Sequence, residues 1–155
     1  MNNLKLTQLG IDKSSKPLSL QHKPITQEEY YKATFSPAFP PITTFQPNQY
    51  FYESWSEDTI SVVGRRDAEG VFYQIGFVLP RNIKTGSYNI EDWGDGKVSA
   101  NVVADGVILG GKQGKIDLTR SGSSIVATFY FEITHGGTLY KVQNGKLSLT
   151  ATGEL

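Results

Sequence analysis

The chain contains no cysteine. Disulfides, thiolate metal sites, a cysteine nucleophile and a lipid carried on cysteine are all excluded, and packing alone must hold the fold. Net charge is missing too, because 15 Lys and Arg balance 15 Asp and Glu. With no overall field to steer a polyanion, neither nucleic acid nor an anionic membrane surface is an expected partner. Long apolar runs are absent: none approaches the roughly 18 residues of a membrane-spanning helix. The opening "MNNLKLTQLGIDKSSKPLSL" lacks the apolar centre of about 7–15 residues found in a secretory signal. As written the chain reads as cytoplasmic, with a removed signal or another export route left open.

Histidine is scarce, limited to His22 and His135. His135 stands beside two glycines in "THGG" and reads as a turn residue, so no base is placed to activate a nucleophile. G-x-S-x-G, H-E-x-x-H and G-x-x-x-x-G-K-[ST] are all missing. "ILGGKQGK" (Ile108 to Lys115) sets glycines beside Lys112, but "KIDLTR" continues as a strand and no helix N-terminus follows to face a phosphate. It reads as a glycine-rich hairpin connection. No cofactor or metal is expected, and the chain is expected not to be an enzyme.

What is present divides the chain in two. Six of the seven prolines fall within the first 50 residues and 15 of the 16 glycines after them. Proline fixes φ and removes a backbone donor, so "SPAFPPITTFQPNQ" (Ser36 to Gln49) is neither a helix nor a central strand. Its Phe39 and Phe45, with Phe35 just before, are too apolar for a free linker. The expectation is an extended arm over residues 1–49, packed on or beside a domain spanning 50–155, with its rings tucked in. Thr26 followed by Glu29 in "TQEEYYKA" resembles a capping box and predicts one short helical turn there.

From Tyr50 onward the pattern has period two. "SIVATFYFEIT" alternates Ile125, Ala127, Phe129, Phe131 and Ile133 with Val126, Thr128, Tyr130, Glu132 and Thr134, a long half-buried strand. "GKLSLTATGEL" and "GKIDLTR" repeat the pattern. "VFYQIGFVLP" is apolar on both faces and should be a central strand or one covered by the arm. Turn signals at "DAEG", "GDG", "ADG", "RSGSS", "HGG" and "NG" separate these runs. Eight to ten short strands on this spacing predict an all-β fold, an antiparallel β-sandwich with a closed β-barrel as the alternative.

"GSYNI", "GKIDLT", "ATFYFEI" and "NGKLSL" occur in that order between Gly86 and Leu149. They resemble signatures of small all-β domains of unknown function in Bacteroidetes-type surface lipoproteins, over roughly Tyr50 to the C-terminus. Two features depart from that pattern: the lipid-bearing cysteine is missing, and Ala127 stands where the family has glycine. The resemblance implies a fold and no activity.

Candidate ligand residues come from rings and acids. "IEDWGDGK" (Ile90 to Lys97) places Asp92, Trp93 and Asp95 in one glycine-rich loop. It fails as a helix-flanked calcium loop, because with Gly96 at the sixth position Trp93 falls at the third, where oxygen is required. Trp93 is then either covered by the arm or presented to a partner. In "NQYFYESWSEDT" one strand face carries Phe51, Glu53 and Trp55, and rings flanked by acids suit a sugar; large aromatics in small sandwiches are also commonly core. Three functions follow. The first is a non-catalytic binding module for a glycan or protein surface, using Trp93, Asp92, Asp95, Trp55 and Glu53. The second is an assembly protein that forms a homo-oligomer through its arm. The third is a hydrolase with two carboxylates drawn from Glu53, Glu57, Asp58, Glu91, Asp92, Asp95 and Glu132. Arg65 and Arg66 end an apolar strand, and one of them should point out as a solvated charge.

Overall fold

Period-two alternation becomes strand along most of the chain. The structure is a computed structural model that describes residues 3–18, 28–39, 42 and 44–155. One helix, α1 (Asn3–Leu9), precedes ten strands: β1 (Tyr30–Ser36), β2 (Gln49–Ser56), β3 (Thr59–Ala68), β4 (Val71–Pro80), β5 (Gly86–Asn89), β6 (Ser99–Ala104), β7 (Val107–Gly110), β8 (Lys112–Ser121), β9 (Ser124–His135) and β10 (Thr138–Thr150). They form two five-stranded sheets, β1-β10-β9-β8-β5 and β2-β3-β4-β6-β7, packed as a sandwich and not closed into a barrel. Every pairing is antiparallel.

The core between the sheets takes the inward set of each strand. Ile125, Ala127, Phe129, Phe131 and Ile133 of β9 meet Tyr73, Ile75, Phe77 and Leu79 of β4, all buried. Phe77 stands edge-on to Phe129 with ring centroids 4.8 Å apart, a geometry that aligns positive ring edge with negative ring face. β4 lies at the centre of its sheet, and its second apolar face is covered by α1. Leu6, Leu9 and Ile11 pack there on Val78 and Val103.

The described helix therefore lies at residues 3–9, and Tyr30 to Ala33 of the expected helical turn are strand. "LTQLGI" carries its stop signal: Gly10 has φ 69°, Gly10 N–H bonds Thr7 O at 3.0 Å and Ile11 N–H bonds Leu6 O at 3.1 Å. This is a Schellman cap, and Leu6 and Ile11 join the same apolar cluster. Thr26 and Gln27 lie outside the described residues, while Tyr30 to Ala33 are strand. The capping-box reading fails there because Tyr31, Ala33 and Phe35 alternate inward and β1 gains a full ladder against β10. Phe39 and Phe45 are buried as expected of the proline-rich segment.

Two glycine-rich stretches differ from expectation. "GGKQGK" does not turn back within one sheet; Gly111 carries the chain from β7 across to β8 in the opposite sheet. A Cβ there would lie 2.8 Å from the Phe131 ring, so only glycine fits the crossing. "NG" at Asn144 and Gly145 is a bulge inside β10, whose ladder to β9 shifts between Val142 and Gly145. The Phe129 ring occupies the space a side chain at 145 would need, 2.4 Å from the Cβ position, so the strand kinks over the ring instead of turning. The C-terminal segment covers the free edge of β2, with Thr152 N–H on Tyr52 O and Ser54 N–H on Glu154 O. An edge paired this way cannot recruit another strand.

Candidate functional site

The loop that carries Trp93 is closed by its own backbone. Glu91 N–H bonds Val98 O at 2.8 Å, and the Lys97 ammonium sits 3.5 Å from Glu91 Oε1. Trp93 is half-buried, and its indole N–H donates to Gln8 Oε1 of α1 at 2.5 Å. The ring is tucked against the N-terminal segment. Glu53 is likewise engaged within the chain, accepting a 2.6 Å hydrogen bond from the Thr152 hydroxyl. Trp55 is half-buried, with its ring centroid 5.5 Å from that of Phe51.

Asp92 and Asp95 are exposed. Asp95 meets Glu57 and Asp58 across a cleft of about 530 Å³ that Arg81 and Asn82 also line. Of the five predicted residues, Trp93 and Glu53 bond within the chain, and Asp95 lines an open cleft with other acids. Among the described residues no group of three or more His, Asp or Glu is arranged to hold a metal.

Beneath α1 lies a polar cluster that period-two reading does not find. Arg65 is 1% exposed. Its Nε–H donates to Gln74 Oε1 at 2.9 Å and Nη2 to Gly10 O at 2.8 Å, with Leu9 O and Leu18 O farther off at 3.5 Å. The guanidinium lies between the rings of Phe51 and Phe72, 5.2 and 5.5 Å from their centroids. Burial pulls its pKa down to about 10, a shift that the nearby Asp67 charge opposes. Leu9 O and Gly10 O lie at the negative end of α1, so a cation there is favoured. Gln74 Nε2 reaches Leu9 O at 2.8 Å and the Ser61 hydroxyl reaches Gln8 O at 2.6 Å. These side chains clamp the N-terminal segment onto the outer face of β3 and β4. Arg66 is half-buried and donates to Gln46 O at 3.3 Å.

Among the described residues, none covers the outer face of the other sheet in this way. Register sorts its outward side chains into rows across the strands, and four of them make up the middle of the face. One row runs Asn89, Lys115, Tyr130, the Gln143–Asn144 bulge and Thr34. Beside it lie Ser87, Asp117, Thr128, Lys146 and Lys32 on one side, and Lys112, Glu132, Lys141 and Ser36 on the other. Thr119, Val126, Ser148 and Tyr30 make the fourth row.

Tyr130 is 51% exposed at the centre. Both neighbouring strands bulge beside it, β8 at Gln113 and Gly114 and β10 at Gln143 and Asn144. Gln113 and Asn144 adopt φ of 52° and 56°, a left-handed conformation that costs a non-glycine residue energy. Gly114 fixes the first bulge, since a Cβ would lie 2.2 Å from Tyr130 O. Asn144 Nδ2 bonds the Thr34 hydroxyl at 3.2 Å, which in turn bonds Gln143 O at 3.1 Å. A polar groove of about 440 Å³ runs beside the ring, lined by Asn89, Ile90, Gln113, Gly114 and Tyr130. Sequence alternation marked Tyr130 as outward; the amides gathered around it depend on bulges and register that no local pattern contains.

Comparison with known proteins finds no matching family model, no matching curated protein and no matching solved structure.

Proposed function

We propose that the protein is a non-catalytic binding module whose ligand surface is the open face of sheet β1-β10-β9-β8-β5, and that its ligand is a glycan. The observation that carries this reading is Tyr130, an exposed ring between two bulges with amide side chains on both sides. A ring presents an apolar platform to the C–H face of a sugar, while amides donate to and accept from its hydroxyls. Bulges recur where a strand must re-aim a side chain beside a site. The opposite sheet offers no such surface, since α1 and the Arg65 clamp cover it.

The loop set of Trp93, Asp92, Asp95, Trp55 and Glu53 supports the reading less well. Trp93 and Glu53 already bond within the chain. The test is a glycan array probed with the wild-type chain, Tyr130→Ala and Trp93→Phe. Loss of a central contact aromatic lowers affinity by roughly tenfold or more, so Tyr130→Ala should weaken every positive signal while Trp93→Phe leaves it intact. A blank array, or signals that Tyr130→Ala does not change, refutes the proposal.

A further inference from the structure

The chain's balanced charge conceals a segregated one. The four rows of the open face hold five lysines, Lys32, Lys112, Lys115, Lys141 and Lys146, against two carboxylates, Asp117 and Glu132. That is a net +3 on one face of a chain whose net charge is zero. Among the described residues none of the five lysines makes an ion pair. Asp117 accepts a short hydrogen bond from the Ser87 hydroxyl.

Lys32 and Lys146 stand directly opposite each other in the β1/β10 register. Like charges in that position are destabilising, and opposite charges would serve the fold better. Lys32 lies on an edge strand and over the Tyr30 ring, 5.2 Å from its centroid, which accounts for it within the fold; the pairing itself gives Lys146 no such support. The row through Tyr130 crosses five strands, about 19 Å at the usual strand spacing of roughly 4.8 Å. Lys115 lies within that row, and Lys32, Lys146, Lys112 and Lys141 lie in the rows on either side.

We infer that this track binds an acidic polysaccharide, laid across the strands over Tyr130 with its anionic groups between the flanking lysines; the inference rests on the glycan reading above. Lysine is a point charge suited to scattered carboxylates, whereas phosphate recognition favours the bidentate fork of arginine. The face presents no arginine. Arg120, on β8, turns inward, donating to the Tyr52 hydroxyl at 3.0 Å and to Ile83 O at 2.8 Å. Single-stranded nucleic acid is also served by several stacking rings along the strand, and the central row has one.

The decisive probes are polygalacturonate and its fully methyl-esterified form, which share a backbone and differ in charge, with alginate, chondroitin sulfate, neutral dextran and a single-stranded oligonucleotide alongside. Affinity electrophoresis or calorimetry should show binding to at least one acidic chain, weaker binding to its neutral counterpart, and loss of affinity with added salt. Lys146→Thr and Lys115→Gln should each reduce that affinity by roughly threefold to fivefold, the ordinary value of an exposed charge pair. Lys146→Thr should leave the melting temperature unchanged or raise it, since it removes the repulsion with Lys32; a merely structural lysine would lower it. Equal binding to acidic and esterified chains, with Tyr130→Ala weakening both, overturns the charge inference and leaves the glycan reading standing. No binding to any polysaccharide, on a glycan array as well, overturns both. Tighter binding to the oligonucleotide overturns the inference in favour of nucleic acid.

Discussion

Replacing Arg65 with alanine tests how the N-terminal segment is held. The side chain satisfies Gln74 Oε1 and Gly10 O at hydrogen-bond distance, while its two contacts at 3.5 Å are too long to add much. Truncation leaves Gln74 Oε1 buried without that donor, at about 1–3 kcal/mol, removes one of two bonds to Gly10 O, which still accepts from Leu18 N–H, at about 1 kcal/mol, and removes contacts with two rings worth about 0.5–1 kcal/mol each. Against this, the variant no longer buries a charge that lacks a carboxylate partner, which returns part of that sum. The balance is a destabilisation of about 2 kcal/mol, or roughly 4–8 °C in a chain of this size. Arg65→Met keeps the apolar stem and the ring contacts and should lose about half as much. Calorimetry reads the stability. Limited trypsin digestion reads its location, because Lys13 lies exposed in the loop after α1 and should be cut sooner once the clamp is lost. The accompanying loss of the Gln8 contact should shift Trp93 fluorescence to the red. An Arg65→Ala protein that melts within about 2 °C of wild type and is cut at an unchanged rate would refute the clamp.

Three further outcomes follow from single side chains. Tyr31 is buried, and desolvation raises its pKa well above 10. A raised folded pKa contributes stability that is complete below the unfolded value near 10 and is lost as pH climbs through the folded value, so the melting temperature should fall more steeply above pH 10 in wild type than in Tyr31→Phe; parallel pH profiles would contradict this. Gly145→Ala forces a Cβ to within 2.4 Å of the Phe129 ring, and overpacking of that kind costs about 1–3 kcal/mol; an unchanged urea midpoint would show that the ring moves freely aside. Trp93→Phe removes one donor to Gln8 and should cost about 1 kcal/mol, visible as a small drop in melting temperature with glycan binding retained. A loss of binding with stability intact would restore the loop as the ligand site.

The strand-rich class, the inward sets of β4, β8, β9 and β10, and the turns at Glu69–Gly70, Asp105–Gly106 and Gly136–Gly137 were legible because each is local. Alternation needs only neighbouring residues, and these turn residues take positive φ where they stand. The double-sided apolarity of "VFYQIGFVLP" also foretold a covered strand, though not that α1 would cover it. Alternation states that a strand has two faces; it does not state which one another segment will cover. Leu6, Leu9 and Ile11 settle that for one sheet by packing across more than sixty residues of chain onto Val78 and Val103.

The same limit governed the candidate site. Trp93 looked like a ligand ring because composition around it was polar, and only the docking of Gln8 shows that its indole N–H is already engaged. Tyr130 was visible as an outward ring on β9. The bulges that gather Gln113, Gln143 and Asn144 around it arise because Phe129 and Phe131 fill the space beside the neighbouring strands. Net charge is a sum and carries no positions. By itself the sequence determined that the chain is all-β, which residues alternate, where most turns fall, and that cysteine and thiolate chemistry are excluded. Tertiary structure alone decided which sheet face stays open, because that depends on which distant segment docks where, and it alone brought five lysines from three strands onto that face through strand register.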